Sequence, residues 1–302
     1  MQSSLSIVMC TYNGAAFVEA QVLSILAQTY PFEELVIVDD ASTDDTYVLL
    51  QQLATADARI QLFQNPTNIG YNANFEKAIQ YSSGTYIAFA DQDDIWEKEK
   101  LRLMMAALEP NTALIYCDSV RFSDAIPAHP QPNNKNRRIE GKDPLLLGMF
   151  NTVSGHASIM RRSALMPILP FPKDVYYDWW MAMHATISGG IQFIPFIGVY
   201  QRMHTQNITI QQGLTEQEHR NRYRIMLSKH LAAFATIQGF PEPVQMFFKK
   251  FIQLWNQSLT NKLNWHLFVF LLQHHRKLFY YKVRRVPIIS AFKVSFLFCF
   301  RW

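Results

Sequence analysis

Residues 87–96, Ile-Ala-Phe-Ala-Asp-Gln-Asp-Asp-Ile-Trp, place three carboxylates (Asp91, Asp93, Asp94) within four positions, directly after an apolar run. Carboxylates a few Å apart repel, and ionising all of them is costly unless a cation or a donor network compensates. One reading is a helix start, where Asp satisfies free N–H groups and suits the dipole. The other is a divalent-cation site that holds a phosphate-bearing substrate. The cluster alone does not separate the two, because D-x-D also recurs in acidic loops. The flanking sequence has to.

Upstream, strand-like and helix-like patterns alternate. Leu5–Cys10 is a short, mostly apolar run ending in the polar turn Thr11-Tyr12-Asn13-Gly14. From Phe17 to Gln28, Val18, Val22, Ile25 and Leu26 recur on one helical face. Glu34–Val38 predicts a second buried strand, closed by Asp39–Asp44, and Ser42 or Thr43 is placed to cap a helix from about Asp45 to Leu53. Arg59–Gln64 predicts a strand, Ala73–Tyr81 a helix, and Thr85–Ala90 the strand that delivers the carboxylates. The expected fold class is therefore α/β, a mostly parallel, Rossmann-like sheet flanked by helices. Ligands on such sheets bind beyond the carboxyl ends of the strands. The turns 11–14, 39–44 and 91–94 all fall there.

Downstream, residues 127–142 (PAHPQPNNKNRRIEGK) are Pro- and Asn-rich and predict a flexible surface loop. Pro144–Phe150 follows as an apolar helix, then a loop-rich portion and the aromatic run Val175–Trp180. No repeat is visible. The last ninety residues hold helical runs that mix Phe, Tyr and Trp with Lys and Arg. Their longest uncharged apolar stretch, Leu263–Leu272, is about half of the ~20 residues that span a bilayer.

Charge divides the chain in the same place. Residues 1–212 carry 14 Lys+Arg against 21 Asp+Glu, a net −7, and residues 213–302 carry 14 against 3, a net +11. An acidic part suited to a metal and a basic part suited to an anionic partner give the expected division, 1–212 catalytic (halves 1–125 and 143–212) and 213–302 a helical extension. The composition of 213–302 is that of a membrane-interface helix, which favours an anionic membrane surface; a helical appendage packed on the catalytic part or on a second subunit, as a homodimer, is the alternative. Nucleic acid is not expected, since no binding module appears. Three widely spaced cysteines and no recognisable signal peptide point to a cytoplasmic protein, peripheral on the inner membrane face.

In combination, SIVMCTYNG (6–14), SILAQTY (24–30), VIVDDASTD (36–44), Asn68-Ile69-Gly70 and DQDDIW (91–96) resemble glycosyltransferase family 2, over about the first 210 residues. Within it the chain looks most like rhamnosyltransferase-type enzymes of bacterial surface polysaccharide assembly. The resemblance implies a GT-A fold that moves a sugar, usually with inversion, from a nucleotide diphosphate such as dTDP-rhamnose or a UDP-hexose onto a hydroxyl of a glycan or lipid-linked acceptor.

Carried over, Thr11, Tyr12 and Asn13 line the nucleotide pocket, Asp39 accepts a hydrogen bond from the base and Asp40 supports that turn. Asp91 and Asp93 match D-x-D and are the metal candidates for Mg²⁺ or Mn²⁺, with Asp93 the more direct ligand and Asp91 nearer the ribose; DQDD permits a second register through Asp94. Asp178, preceded by Tyr177 where the family often has a second acid, takes the place of the catalytic base, and Trp179 and Trp180 are expected to stack on a sugar. His204 is a candidate for metal or diphosphate, Arg202 for phosphate charge, and His156 for a contact from a small-residue turn. Such a cation offsets the carboxylate repulsion and stabilises charge on the departing diphosphate. Two rivals keep other chemistry open: a nucleotidyltransferase or other metal–nucleotide enzyme acting on a soluble sugar phosphate, and a non-catalytic glycan-binding scaffold. A pyrophosphorylase usually carries a Gly-rich, basic loop after its first strand, which TYNGAAF lacks, and a scaffold has no need of both Asp93 and Asp178.

Overall fold

The computed structural model describes residues 4–132, 135–204, 215–261 and 263–299. Strand β1 (Leu5–Thr11) pairs in parallel with β2 (Glu34–Asp39) on one side and β4 (Tyr86–Ala90) on the other, and β2 pairs in parallel with β3 (Ile60–Gln64). Side chains alternate across these strands, so Ile7, Met9, Leu35 and Ile37 enter one apolar layer and Val8, Val36 and Val38 the other. Both layers are buried, which is why the strands read as continuous apolar runs rather than alternating ones. Helices α1 (Val18–Leu26), α2 (Thr46–Ala56) and α3 (Tyr71–Tyr81) make the crossovers. All three parallel strands that border the site end at its edge: β1 at Thr11, β2 at Asp39, β4 at Ala90.

The second half of the sheet is mixed. After β5 (Ile95–Trp96) and α4 (Lys100–Ala107), β6 (Leu114–Phe122) leads to β7 (Ser158–Arg161), which inserts antiparallel between β4 and β6. The short helix α5 (Arg162–Leu165), α6 (Tyr177–Ser188) and β8 (Ile191–Arg202) follow, and β8 runs parallel to β6 and antiparallel to β5. The strand order is β3-β2-β1-β4-β7-β6-β8-β5.

Four expectations need correction. The helix after β2 is not capped by Ser42 or Thr43: its N-cap is Asp45, and Ser42 instead donates to Asp39 while Thr43 donates to Asn13. Pro144–Phe150 is a 3-10 turn over Pro144–Leu147. The stretch 127–142 is not a free loop throughout. Residues 135–139 form a strap, with Arg137 N–H donating to the Tyr281 carbonyl (2.7 Å) and the buried Ile139 N–H to the Tyr116 hydroxyl (2.9 Å). Trp179 and Trp180 lie in the core, as described below.

The C-terminal segment folds into α7 (Glu216–Phe234), α8 (Glu242–Thr260), α9 (Trp265–Gln273), α10 (His275–Leu278) and α11 (Pro287–Cys299). Leu227, Phe234, Phe248, Phe251 and Trp255 from it share one apolar cluster with Val8 and Val36 of the sheet and Trp179 of α6. The expected boundary at 212/213 lies outside the described residues. Among the described residues no helix is long and apolar enough to cross a membrane.

Candidate active site

At the ends of β1 and β2 two turns lock together. Thr11 Oγ1 donates to Asp39 Oδ1 (2.9 Å), as does Ser42 Oγ (2.6 Å), while Asp39 Oδ2 accepts from Ser42 N–H (3.0 Å) and Gln64 Nε2 (3.2 Å). Asn13 has φ 49°, a left-handed conformation that Asn tolerates, and this aims its N–H at Ser42 Oγ (2.9 Å) and its side-chain oxygen at the Thr43 N–H (2.8 Å). Asp40 points the other way and fastens the 65–70 turn, accepting from Asn65 Nδ2 (2.7 Å) and from the N–H groups of Ile69 and Gly70 (2.9 Å each). Tyr12 leaves its ring half exposed over this floor, and both of its main-chain polar groups are bridged by the Gln92 amide (2.8 and 3.0 Å). The buried Asp39 carboxylate already has four donors, so a base can reach it only by sharing or replacing one, and Gln64 is the longest of them.

The carboxylate cluster pairs with two histidines brought from far along the chain. Asp93 Oδ2 lies 2.7 Å from His204 Nε2, whose ring stacks on Phe17 (centroids 4.3 Å apart). Burial, then the neighbouring Asp91, pushes the Asp93 carboxyl above its ordinary range, and His204 pulls against that shift. Asp91 Oδ2 lies 3.1 Å from His156 Nδ1, and Asp94 Oδ2 lies 3.5 Å from the same nitrogen. Burial raises Asp94 to about 7 against the pull of His156. Burial alone would lower His156, yet Asp94 and Asp91 outweigh it and hold the imidazole at about 9. Asp94 Oδ2 and His156 Nε2 have no hydrogen-bond partner among the described residues. Arg202 closes the floor: its N–H donates to Asp94 (3.2 Å), its Nε to the Asp93 carbonyl (3.2 Å), and its guanidinium lies 4.7 Å from the Phe122 ring centre.

Two sets of donors thus suit a hard or borderline divalent cation: Asp93 with His204, and Asp91, Asp94 and His156, whose donor atoms all lie within 4.8 Å of one another. Oxygen mixed with one imidazole nitrogen fits Mn²⁺ or Mg²⁺ better than a thiolate-seeking metal.

Asp178 occupies the first turn of α6, where the free N–H groups and the dipole favour an anion. Burial still raises its carboxyl, to about 6, against hydrogen bonding from the N–H groups of Trp179 and Gly155. The side chain therefore faces the same turn that carries His156. Its aromatic neighbours are not the ones expected. Trp179 is buried and donates from Nε1 to the Leu147 carbonyl (2.9 Å), and Trp180 is buried and donates to the Ile168 carbonyl (3.0 Å). An indole used in this way is core, and neither presents a face to a sugar. Tyr71 and Tyr176 instead feel the Asp178 charge: burial, then Tyr176 and Asp178, raises the Tyr71 hydroxyl to about 12, and burial, then Asp178, raises the Tyr176 hydroxyl.

Lys100 was not singled out in the sequence, where it sits in the polar run Glu97-Lys98-Glu99-Lys100. It is fully buried, donates to the His156 carbonyl (2.6 Å), and lies 3.3 Å above the Trp96 ring centre. Burial drops its amine to about 7. The Gln92 bridge has no signal in the sequence, whereas the spacing Asp39-x-x-Ser42, an Asx-type turn, points to the bond that Ser42 makes in place of a helix cap.

Comparison with known proteins identifies the family and the fold. Residues 6–169, 164 of the 302, match the model of Glycosyl transferase family 2. WfgD of Escherichia coli, named a UDP-Glc:alpha-D-GlcNAc-diphosphoundecaprenol beta-1,3-glucosyltransferase, is 37% identical over 113 residues, 37% of this chain and 44% of WfgD. The chain thus spans less than half the length of that relative. Among solved structures, S. aureus TarS 1-349 in complex with UDP-GlcNAc superposes with a TM-score of 0.62 at 17% identity, covering 97% of this chain and 90% of that one. The mannosyltransferase PcManGT from Pyrobaculum calidifontis, in complex with GDP-Man and Mn²⁺, gives 0.59 at 17% identity, covering 98% and 75%. These two share the GT-A fold with the chain.

Proposed function

The chain belongs to glycosyltransferase family 2, and from that premise we propose an inverting, divalent-metal-dependent enzyme. It transfers a sugar from a nucleotide diphosphate, dTDP-rhamnose or a UDP-hexose, to a hydroxyl of a lipid-linked or surface polysaccharide acceptor. Residues 1–212 form the catalytic part, and the basic segment 213–302 holds it on the anionic cytoplasmic face of the membrane. The observation that carries the reading is the position of Asp178: a half-buried carboxylate whose pKa is raised to about 6, facing the turn whose His156 pairs with Asp91 and Asp94.

The Thr11–Asn13 turn and Asp39 bind the nucleoside, with Asp91 beside the ribose. Asp93 and His204 hold the cation, with Asp91 or Asp94 as further oxygen donors, and Arg202 adds positive charge next to them. A bound Mg²⁺ or Mn²⁺ supplies Lewis-acid stabilisation of the charge that develops on the leaving diphosphate. Asp178 takes the acceptor hydroxyl proton as that oxygen bonds to the anomeric carbon and the bond from this carbon to the diphosphate breaks. A carboxylate near 6 is ionised at neutral pH and basic enough to receive the proton as it is released. The buried Asp94–His156–Lys100 group, with Asp91 as the second acid on His156, fixes the turn that faces Asp178. A lipid-linked acceptor draws support from WfgD, whose name gives it a diphosphoundecaprenol substrate; the metal draws support from PcManGT, described with Mn²⁺.

Calorimetric titration with UDP, dTDP and GDP, each with Mn²⁺ and with EDTA, tests the reading. One base should bind in a metal-dependent manner, and Asp93→Ala should weaken it by tenfold or more, about 1.4 kcal/mol. A folded protein that binds none of the three would remove the donor site.

A further inference from the structure

A second polar constellation lies away from the carboxylates, in the C-terminal helices. Between the strap 135–139 and the α10–α11 connection is a cavity of about 470 Å³. Arg137, Arg276, Lys282 and Arg284 line it, together with Tyr280 and Ile288, and no carboxylate among the described residues does. The walls are held in place: Arg137 N–H donates to the Tyr281 carbonyl (2.7 Å), Asn136 and Lys282 form an antiparallel bridge, and the Arg137 guanidinium lies 5.4 Å from the Tyr280 ring centre. None of the four cations has an ion-pair partner among the described residues. Burial and the like charge of Arg284 lower the Lys282 amine. Four cations converging without an acid is a charge distribution that an anion would relieve.

The rim gives the anion its setting. Val286, Ile288, Ile289 and Phe292 are about half exposed or more, directly along the chain from Arg284. Ring contacts through the buried Phe268 tie Phe292 (5.2 Å) to the exposed Trp265 (5.7 Å). A soluble phosphate needs cations but no apolar rim. A lipid brings both an anionic head and an apolar boundary, and an amphipathic helix with Phe, Ile and Trp beside Arg and Lys is built for that boundary.

We propose that this cavity binds the phosphate of an anionic phospholipid headgroup, with Ile289, Phe292 and Trp265 entering the lipid interface around it. The inference rests on the membrane placement of residues 213–302 proposed above and gives that placement a discrete site.

Co-sedimentation of the full chain with phosphatidylcholine vesicles, with and without phosphatidylglycerol, is the test. Wild-type protein should bind the phosphatidylglycerol vesicles only. The double variant Arg276→Gln/Arg284→Gln should lose about tenfold or more in affinity. Arg220→Gln/Arg222→Gln, which removes the same charge from α7 of the same segment, should lose less than about threefold. Ile289→Ser/Phe292→Ser should weaken vesicle binding with the charge unchanged. Equal losses in the two arginine pairs would mean diffuse attraction and overturn the site. So would wild-type protein that ignores phosphatidylglycerol, or that binds inorganic pyrophosphate at the cavity without binding vesicles. Arg276 and Arg284 are exposed, so their loss leaves the core intact, and a thermal melt confirms folding. Nucleotide titration of the same proteins separates the two readings. Cavity variants should bind donor nucleotide as wild type does, whereas failure of the donor site would appear in the wild type itself, whatever the vesicles show.

Discussion

Asp178, the base in the mechanism proposed above, shows how the surroundings of one side chain set its chemistry. At an exposed helix N-terminus a carboxylate is stabilised as the anion; here burial overrides the helix end and lifts the group to about 6. Two outcomes follow, of opposite sense for activity and stability. Turnover should fall as pH drops through about 6, and Asp178→Asn should cost about 10²–10⁴-fold in kcat while nucleotide affinity persists. Loss of nucleotide binding in that variant would make Asp178 structural. A carboxyl whose folded value lies above the unfolded 3.8 binds its proton more tightly when folded, so its ionisation opposes folding increasingly as pH rises from about 4 to about 6. The amide carries no such penalty. In metal-free protein, the melting temperature of Asp178→Asn relative to wild type should therefore be higher at pH 8 than at pH 4. A flat difference across that range would mean the carboxyl is not perturbed by the fold.

At the scale of elements, the 3-10 turn Gly155–Ala157 decides the geometry around Asp178. Gly155 has no room for a side chain, since a Cβ there would overlap the Tyr177 hydroxyl. Lys100 holds the next carbonyl from below, and His156 pairs with Asp91 and Asp94. Gly155→Ala should displace the turn and lower kcat by about tenfold to a hundredfold, with a stability loss of about 1–3 kcal/mol and nucleotide affinity unchanged. Steady-state kinetics beside a urea melt reads all three; an unchanged kcat would show that the turn has no positioning role. This turn also marks where the sequence ceased to be legible. β1 to β4 and α1 to α3 could be read because each is a local pattern, a buried apolar run or a repeating helical face. β7 is four residues long, and β8 contains Pro195 and Gly198 within its run, so neither carries a clean period. Asp91 and His156 are 65 positions apart, and Asp93 and His204 are 111 apart. Only the insertion of β7 beside β4, and the return of β8 to β5, brings those pairs together. Residue types announced the carboxylates, but not the imidazole each would meet. Trp179 and Trp180 misled for the same reason: an aromatic run names a composition, and the carbonyls of Leu147 and Ile168 that bind the two indoles are set by tertiary packing.

For the whole molecule, the step in charge at residue 213 coincides with no break in the apolar core. Trp255 of α8 is fully buried, donates from Nε1 to the Arg224 carbonyl (3.0 Å), and packs 5.9 Å from Phe251 and 5.4 Å from Phe298. That cluster continues through Phe234 to Trp179, 5.7 Å away in α6, whose first turn carries Asp178. Tyr176, two residues before Asp178, donates its N–H to His230 Nε2 of α7 (3.0 Å). Charge thus separates two surfaces, one acidic around the carboxylates and one basic around the α10–α11 cavity, while a shared interior joins them. An extension attached by a linker could melt without affecting the site; one that completes the packing behind α6 cannot. Trp255→Ala should therefore destabilise the chain by about 3–5 kcal/mol, the usual cost of deleting a buried aromatic. The decisive measurement is nucleotide binding followed along the same denaturant titration as helix content. If the two losses coincide, the C-terminal helices are part of the catalytic fold. If binding survives the first loss of helix, residues 213–302 are a separable appendage and the shared core does not carry the site.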